Sequence, residues 1–143
     1  KMRLGEYKDA LRLISRYPWF GVGFGDTPDI DLYIGVSNVY LLIASEMGVI
    51  GLGAFVVALV TYLVRFLTLP FRKVRGTPIE SIALGAAAAV AGAMVGGVFD
   101  HYLFNLVFPH ASALLWLVIG LGTISFRLAR QQAAENQQAA AAL

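Results

Sequence analysis

The sequence predicts an all-α integral membrane fold, with three transmembrane helices preceded by an extracytoplasmic amphipathic helix and loop. Composition is the first reason. Apolar residues make up 58% of the chain and charged residues only 14%, against about 25% charged in an ordinary soluble domain, and mean hydropathy is +0.70. Distribution is the second. The apolar residues collect into three runs, roughly 49–69, 82–99 and 111–126. A helix rising about 1.5 Å per residue needs about 20 residues to cross a bilayer core. Three runs of this purity are more than a 143-residue soluble globule can cover.

The elements follow in chain order. Residues 1–17 read as an amphipathic helix, with Leu4, Tyr7, Leu11 and Ile14 at helical spacing and Glu6, Lys8, Asp9, Arg12, Ser15 and Arg16 around the rest. Pro18 disfavours helical geometry at the residue before it, so Tyr17 is the expected last helical residue. Residues 18–36 carry Gly21, Gly23, Gly25, Pro28 and three aspartates, the composition of a structured loop. Residues 38–47 read as a short apolar helix, and Gly48 with Gly51 bends it or packs it tightly before the first true span. That span closes at Thr68-Leu69-Pro70, and residues 71–78 (FRKVRGTP) form a tight basic turn. The second span carries Gly92, Gly96, Gly97 and four consecutive alanines, small residues that let helix backbones approach inside a bundle. Asp100-His101-Tyr102 opens a loop without Lys or Arg. The third span starts as early as Val107, with Pro109 tolerated near the helix start. Arg127, Arg130 and a Gln/Ala tail follow, giving an organisation of 1–37, 38–126 and 127–143.

Charge sets the expected orientation. Arg65, Arg72, Lys73, Arg75, Arg127 and Arg130 flank the short segments on one side and, by the positive-inside rule, belong in the cytoplasm. Residues 1–37 and 100–110 are then extracytoplasmic and the tail is cytoplasmic. The five basic residues of the N-terminal segment lie beside Glu6, Asp9, Asp26, Asp29 and Asp31. A net charge of +2 gives no reason to expect a nucleic-acid partner; the expected partner is the lipid bilayer. The chain has no cysteine, which excludes a disulfide framework, a thiolate zinc site and a cysteine nucleophile. No metal-ligand spacing occurs and no cofactor is expected. Gly21-Val22-Gly23-Phe24-Gly25 lacks the preceding strand of a dinucleotide or P-loop site and reads as a turn.

Few residues are candidates for chemistry. Arg3, Arg12 and Arg16 offer planar, bidentate donors matched to phosphate, or solvate a helix face or touch lipid headgroups. Glu46 lies in an apolar stretch, where a carboxylate is costly unless it is paired, faces a cavity or reaches water. Asp100 and His101 are an acid/base candidate, because a carboxylate can orient an imidazole, although adjacent residues on one helix need not touch. Asn38 reads either as a helix N-cap or as a substrate-binding residue.

Two blocks carry a resemblance. Arg3 precedes Tyr7 by four positions and Pro18-Trp19-Phe20-Gly21-Val22-Gly23 by fifteen; Ser37-Asn38-Val39-Tyr40-Leu41 is followed by Glu46-Met47-Gly48. Together they resemble the signature of the O-antigen ligase and polymerase family, membrane enzymes that move glycans from polyprenyl-diphosphate carriers. Phe99-Asp100-His101-Tyr102 and His110…Trp116 look like a C-terminal pattern of some members. The likeness is strongest over residues 3–51 and weaker over 95–122. It implies a polytopic, metal-independent glycosyltransferase using an undecaprenyl-diphosphate-linked glycan, in the bacterial cytoplasmic membrane. Family members have many more spans than three, so the resemblance implies that this is the C-terminal part of a larger bundle. The N-terminal helices of the parent are then its partners, and the isolated piece is expected to be inactive. Arg3 inherits the role of holding the carrier diphosphate, and Ser37, Asn38 and Tyr40 fall in the substrate-binding block. The family's histidine position is Ser37 here, and a serine is no general base near neutral pH. His101 is then the best remaining base on the expected side, with Glu46 second. The competing expectation is a small non-enzymatic membrane helper or assembly protein.

Overall fold

The computed structural model describes residues 2–23, 36–102 and 109–141, with side chains of the first helix from Leu4 onward. Among the described residues all regular structure is helical: α1 (Met2–Arg16), α2 (Val39–Leu67), α3 (Phe71–Val74), α4 (Pro78–Phe99) and α5 (Pro109–Ala141). The aspartate-rich part of the expected loop, with Gly25 and Pro28, lies outside the described residues, as does the expected start of the third span at Val107.

α2, α4 and α5 are long and apolar enough to cross a membrane, with window hydropathies of 2.3, 2.0 and 1.7. Only 22%, 28% and 28% of those windows is buried within the protein. Most of each span is therefore left for lipid or for further helices. The third helix does not stop at the expected residue 126. It runs 33 residues to Ala141, about 50 Å of helix, because Ala and Gln are sound helix formers and add no breaker. The basic turn holds a helix of its own, α3, with Val74 buried.

The chain divides into two compact units, one of residues 1–58 with 93–112 and one of 59–92 with 113–143. In the first, α1 packs by a different face from the expected one. Ala10 and Leu13 are buried, while Leu4 and Leu11 stay exposed. Glu6 shares the buried register and accepts hydrogen bonds from Ser37, through Oγ–H at 3.0 Å and N–H at 3.3 Å. Ala10, Leu13 and the Glu6 carboxylate thus form the packed face, and Leu4 and Leu11 lie off it. Val39, Leu42, Ile43 and Ala44 of α2 are also buried. Gly97 of α4 is the small residue that meets α2: a Cβ there would lie 3.3 Å from Val39 Cβ, whereas Gly92 and Gly96 face open space.

The second unit is held by aromatic packing. Tyr62 and Phe126 ring centroids are 5.0 Å apart, Phe66 and Phe126 5.9 Å, and Phe66 and Phe71 5.3 Å. Tyr62 lies over Gly122, where any Cβ would collide with its hydroxyl. In the first turn of α4 Glu80 Oε2 accepts the Gly76 N–H at 2.6 Å, tying the preceding turn to the helix and setting a carboxylate at its positive end.

Candidate functional site

The two blocks of the resemblance meet in the first unit, and their meeting explains their glycines. Gly48 adopts φ 69° and ψ −172°, a conformation essentially restricted to glycine, which breaks the hydrogen-bond ladder of α2. An unbroken helix would pair the Val49 and Ile50 N–H groups with the Ser45 and Glu46 carbonyls. The loop after α1 replaces both partners. Val22 N–H donates to Ser45 O at 2.9 Å and Gly23 N–H to Glu46 O at 2.8 Å. In return Val49 N–H donates to Pro18 O at 2.8 Å and Ile50 N–H to Trp19 O at 3.5 Å. All four groups freed by the break are therefore paired, where each left unsatisfied in an apolar span would cost several kcal/mol.

The fit leaves no room for side chains on either glycine at the crossing. A Cβ on Gly21 (φ 67°) would strike the Glu46 carbonyl, and a Cβ on Gly48 would strike the Trp19 carbonyl. Gly23 (φ 87°) has open space around it and needs only its dihedral freedom. The loop is therefore a backbone clasp on the broken helix, which agrees with its reading as a turn. Trp19 and Phe20 project from it, both strongly exposed.

The second block is tied down at its start. Asn38 is the N-cap of α2, its Oδ1 accepting the Tyr40 and Leu41 N–H groups at 2.9 and 3.0 Å. Its Nδ2 donates to Val98 O at 3.0 Å, and the Tyr40 hydroxyl donates to Met94 O at 2.8 Å. The last turns of α4 are thereby fastened to the first turn of α2. Ser37, the residue before the cap, is engaged by Glu6. Ser37, Asn38 and Tyr40 thus all have protein partners, and they connect α1, α2 and α4.

Asp100 and His101 follow at the end of α4. Phe99 is the last helical residue, so the pair is freed from helical side-chain spacing and does come together. Asp100 Oδ1 accepts the His101 N–H at 2.7 Å and lies 3.5 Å from His101 Nδ1. That ring nitrogen is buried and has no hydrogen-bond partner. The Tyr102 hydroxyl is 3.3 Å from His110 Nε2, a contact that the sequence does not announce, since the two residues are eight positions apart.

The remaining candidates are placed as follows. Arg3 occupies the first turn of α1, three residues before Glu6. Arg12 is exposed and pairs with Asp9 at 3.5 Å within the same helix. Glu46 lies at the break of α2, half-buried, its backbone carbonyl held in the clasp. Among the described residues no cluster of three His, Cys, Asp or Glu could hold a metal ion. Comparison with protein families, with curated proteins and with solved structures found no match to this chain.

Proposed function

We propose that this chain is the C-terminal part of a membrane glycosyltransferase resembling the O-antigen ligases and polymerases, which transfers glycan from an undecaprenyl-diphosphate carrier. The observation that supports the reading best is the clasp. The Pro-x-x-Gly-x-Gly and Glu-x-Gly elements, distant in sequence, are two halves of one hydrogen-bonded device, with a glycine of each pressed on the other's backbone. A resemblance by chance gives no reason for its separate elements to fit each other.

In this reading the acceptor hydroxyl oxygen attacks the anomeric carbon of the carrier-linked sugar. The bond from that carbon to the diphosphate oxygen breaks, and the leaving diphosphate keeps the electron pair. Negative charge grows on it, and the Arg3 guanidinium stabilises that charge with a bidentate fork. The acceptor proton passes to His101. Asp100, 3.5 Å from Nδ1, lies on that side of the ring and leaves Nε2 as the nitrogen that exchanges the proton. Ser37, Asn38 and Tyr40 hold the framework through α1, α2 and α4, and Glu46 is the second candidate base.

The test is a set of variants in the full-length parent, assayed for glycan transfer with expression monitored. Arg3→Lys is expected to lose most activity, since a point charge replaces the fork. Arg12→Lys is expected to be mild, since Arg12 is itself exposed and pairs only with Asp9 one turn away. His101→Ala is expected to abolish transfer while donor binding persists, with Ser37→Ala having little effect. Equal tolerance at Arg3 and Arg12 would remove the diphosphate role. A dead Ser37→Ala beside an active His101→Ala would remove the base. A parent with no glycan transfer at all would favour the helper reading.

A further inference from the structure

The second unit holds a crevice of about 560 Å³ that none of the chemistry above uses. Arg65, in the last turn of α2, lines it together with Phe126, Arg127, Arg130 and Ala134 of α5. Three guanidinium-bearing residues face one small space, and no carboxylate lines it. Among the described residues no acid forms an ion pair with any of the three arginines.

The three are not equivalent. Arg130 is held in place, its Nη2 donating to Thr68 Oγ1 at 2.9 Å and, at 3.5 Å, toward the Arg65 carbonyl. Thr68 is itself fixed to the Val64 carbonyl at 2.9 Å. The guanidinium of Arg130 is thus oriented at the end of α2, with donors to spare. The side chains of Arg65 and Arg127 make no hydrogen bond to the described protein. Like charges gathered over an apolar floor repel one another unless an anion joins them, and planar guanidinium forks match phosphate oxygens.

Depth identifies the source of that anion. Arg65 stands two residues before the end of α2, and Arg127 is the first charged residue after the apolar stretch of α5. Both fall where a spanning helix passes from hydrocarbon into headgroups. Phe126, the residue before Arg127, gives the crevice an apolar wall at the end of the span. Basic pockets between transmembrane helices at this level suit anionic headgroups.

We propose that this crevice binds the phosphate of an anionic phospholipid, with Arg65, Arg127 and Arg130 around its oxygens and the acyl chains along α5. This goes beyond the glycosyltransferase reading and does not depend on it; it rests only on the helices crossing a membrane. The probe is dioleoylphosphatidylglycerol, offered with equimolar dioleoylphosphatidylcholine to the purified full-length protein and read by native mass spectrometry. The anionic lipid is expected to be retained at least about tenfold over the zwitterionic one. Arg65→Gln with Arg127→Gln is expected to reduce that preference by about tenfold, the size of one lost charge-assisted hydrogen bond. Arg72→Gln with Arg75→Gln removes the same charge outside the crevice and is expected to keep the preference. Equal retention of the two lipids overturns the proposal, as does an equal loss in both double variants. Displacement of the lipid by millimolar inorganic phosphate assigns a free-phosphate site and overturns the lipid. Should the first double variant fail to fold, a headgroup-diazirine phosphatidylglycerol on the wild-type protein decides. Crosslinks at residues 123–134 support the proposal, and crosslinks confined to other segments overturn it.

Discussion

Gly48 and Gly21 are each other's reason. The broken ladder of α2 requires a residue that reaches φ 69°, and the clasp requires that the residue carry no Cβ; Gly21 meets the same two demands from the loop side. Gly48→Ala and Gly21→Ala are each expected to destabilise by about 2–4 kcal/mol, combining backbone strain with a collision against a main-chain carbonyl. Gly23→Ala is expected to cost only about 1 kcal/mol, since its surroundings are open. Thermal melts of the purified protein in detergent rank the three, and a Gly23 variant as damaged as the others would dismiss the steric argument. At Asn38 a single side chain does two tasks, which different substitutions separate. Asn38→Asp keeps the cap acceptor and loses the donor to Val98, while Asn38→Ala loses both. The aspartate is expected to cost about 1 kcal/mol and the alanine about 2. Equal melting temperatures for the two variants would mean that the cap contributes nothing.

Elements are joined in the first unit by polar contacts at their ends. α1 is attached through Glu6 to Ser37, α2 to α4 through Asn38 and Tyr40, and the α2 break to the loop through main-chain bonds. Glu6→Ala leaves two Ser37 donors without their acceptor and is expected to cost about 1.5–3 kcal/mol, with faster hydrogen exchange along α1. Glu6→Gln retains an acceptor oxygen and is expected to keep most of the protection. Unchanged exchange in the alanine variant would show that Ala10 and Leu13 alone seat the helix. The packed face of α1 was illegible in the sequence because the apolar stripe Leu4-Tyr7-Leu11-Ile14 is the more regular signal. In a protein bordered by a bilayer, an apolar stripe has a second destination, so periodicity does not say which face meets protein.

For the whole molecule the testable quantity is topology. Because the chain has no cysteine, a single introduced one reports its own site without background. A cysteine at Thr77, beside the basic segment of Arg72, Lys73 and Arg75, is expected to be shielded from membrane-impermeant thiol reagents in intact cells. One at Thr27 is expected to be labelled. The reverse pattern would invert the orientation and place the candidate chemistry at Arg3 and His101 in the cytoplasm. The low burial of the three spans fits a chain whose remaining surface is covered by lipid or by other helices, and the exposed Gly92 and Gly96 of α4 are of the kind that such neighbours approach closely.

The sequence by itself determined the all-helical membrane class, the number of long apolar helices, a bend or tight packing at Gly48 and Gly51, and the end of α1 near Pro18. These follow from composition, run length and the dihedral limits of Gly and Pro, which act within a few residues. It also marked the glycine motifs, Asn38 and the Asp100-His101 pair as positions of interest. What those residues touch was decided only by the tertiary structure: Gly21 against Glu46, Ser37 on Glu6, Asn38 on Val98, and Arg130 across to Thr68. The physical reason is that a hydrogen bond or a steric contact between distant residues depends on where packing brings the backbone. Three arginines that read along the chain as topology signals become, once folded, the lining of one crevice.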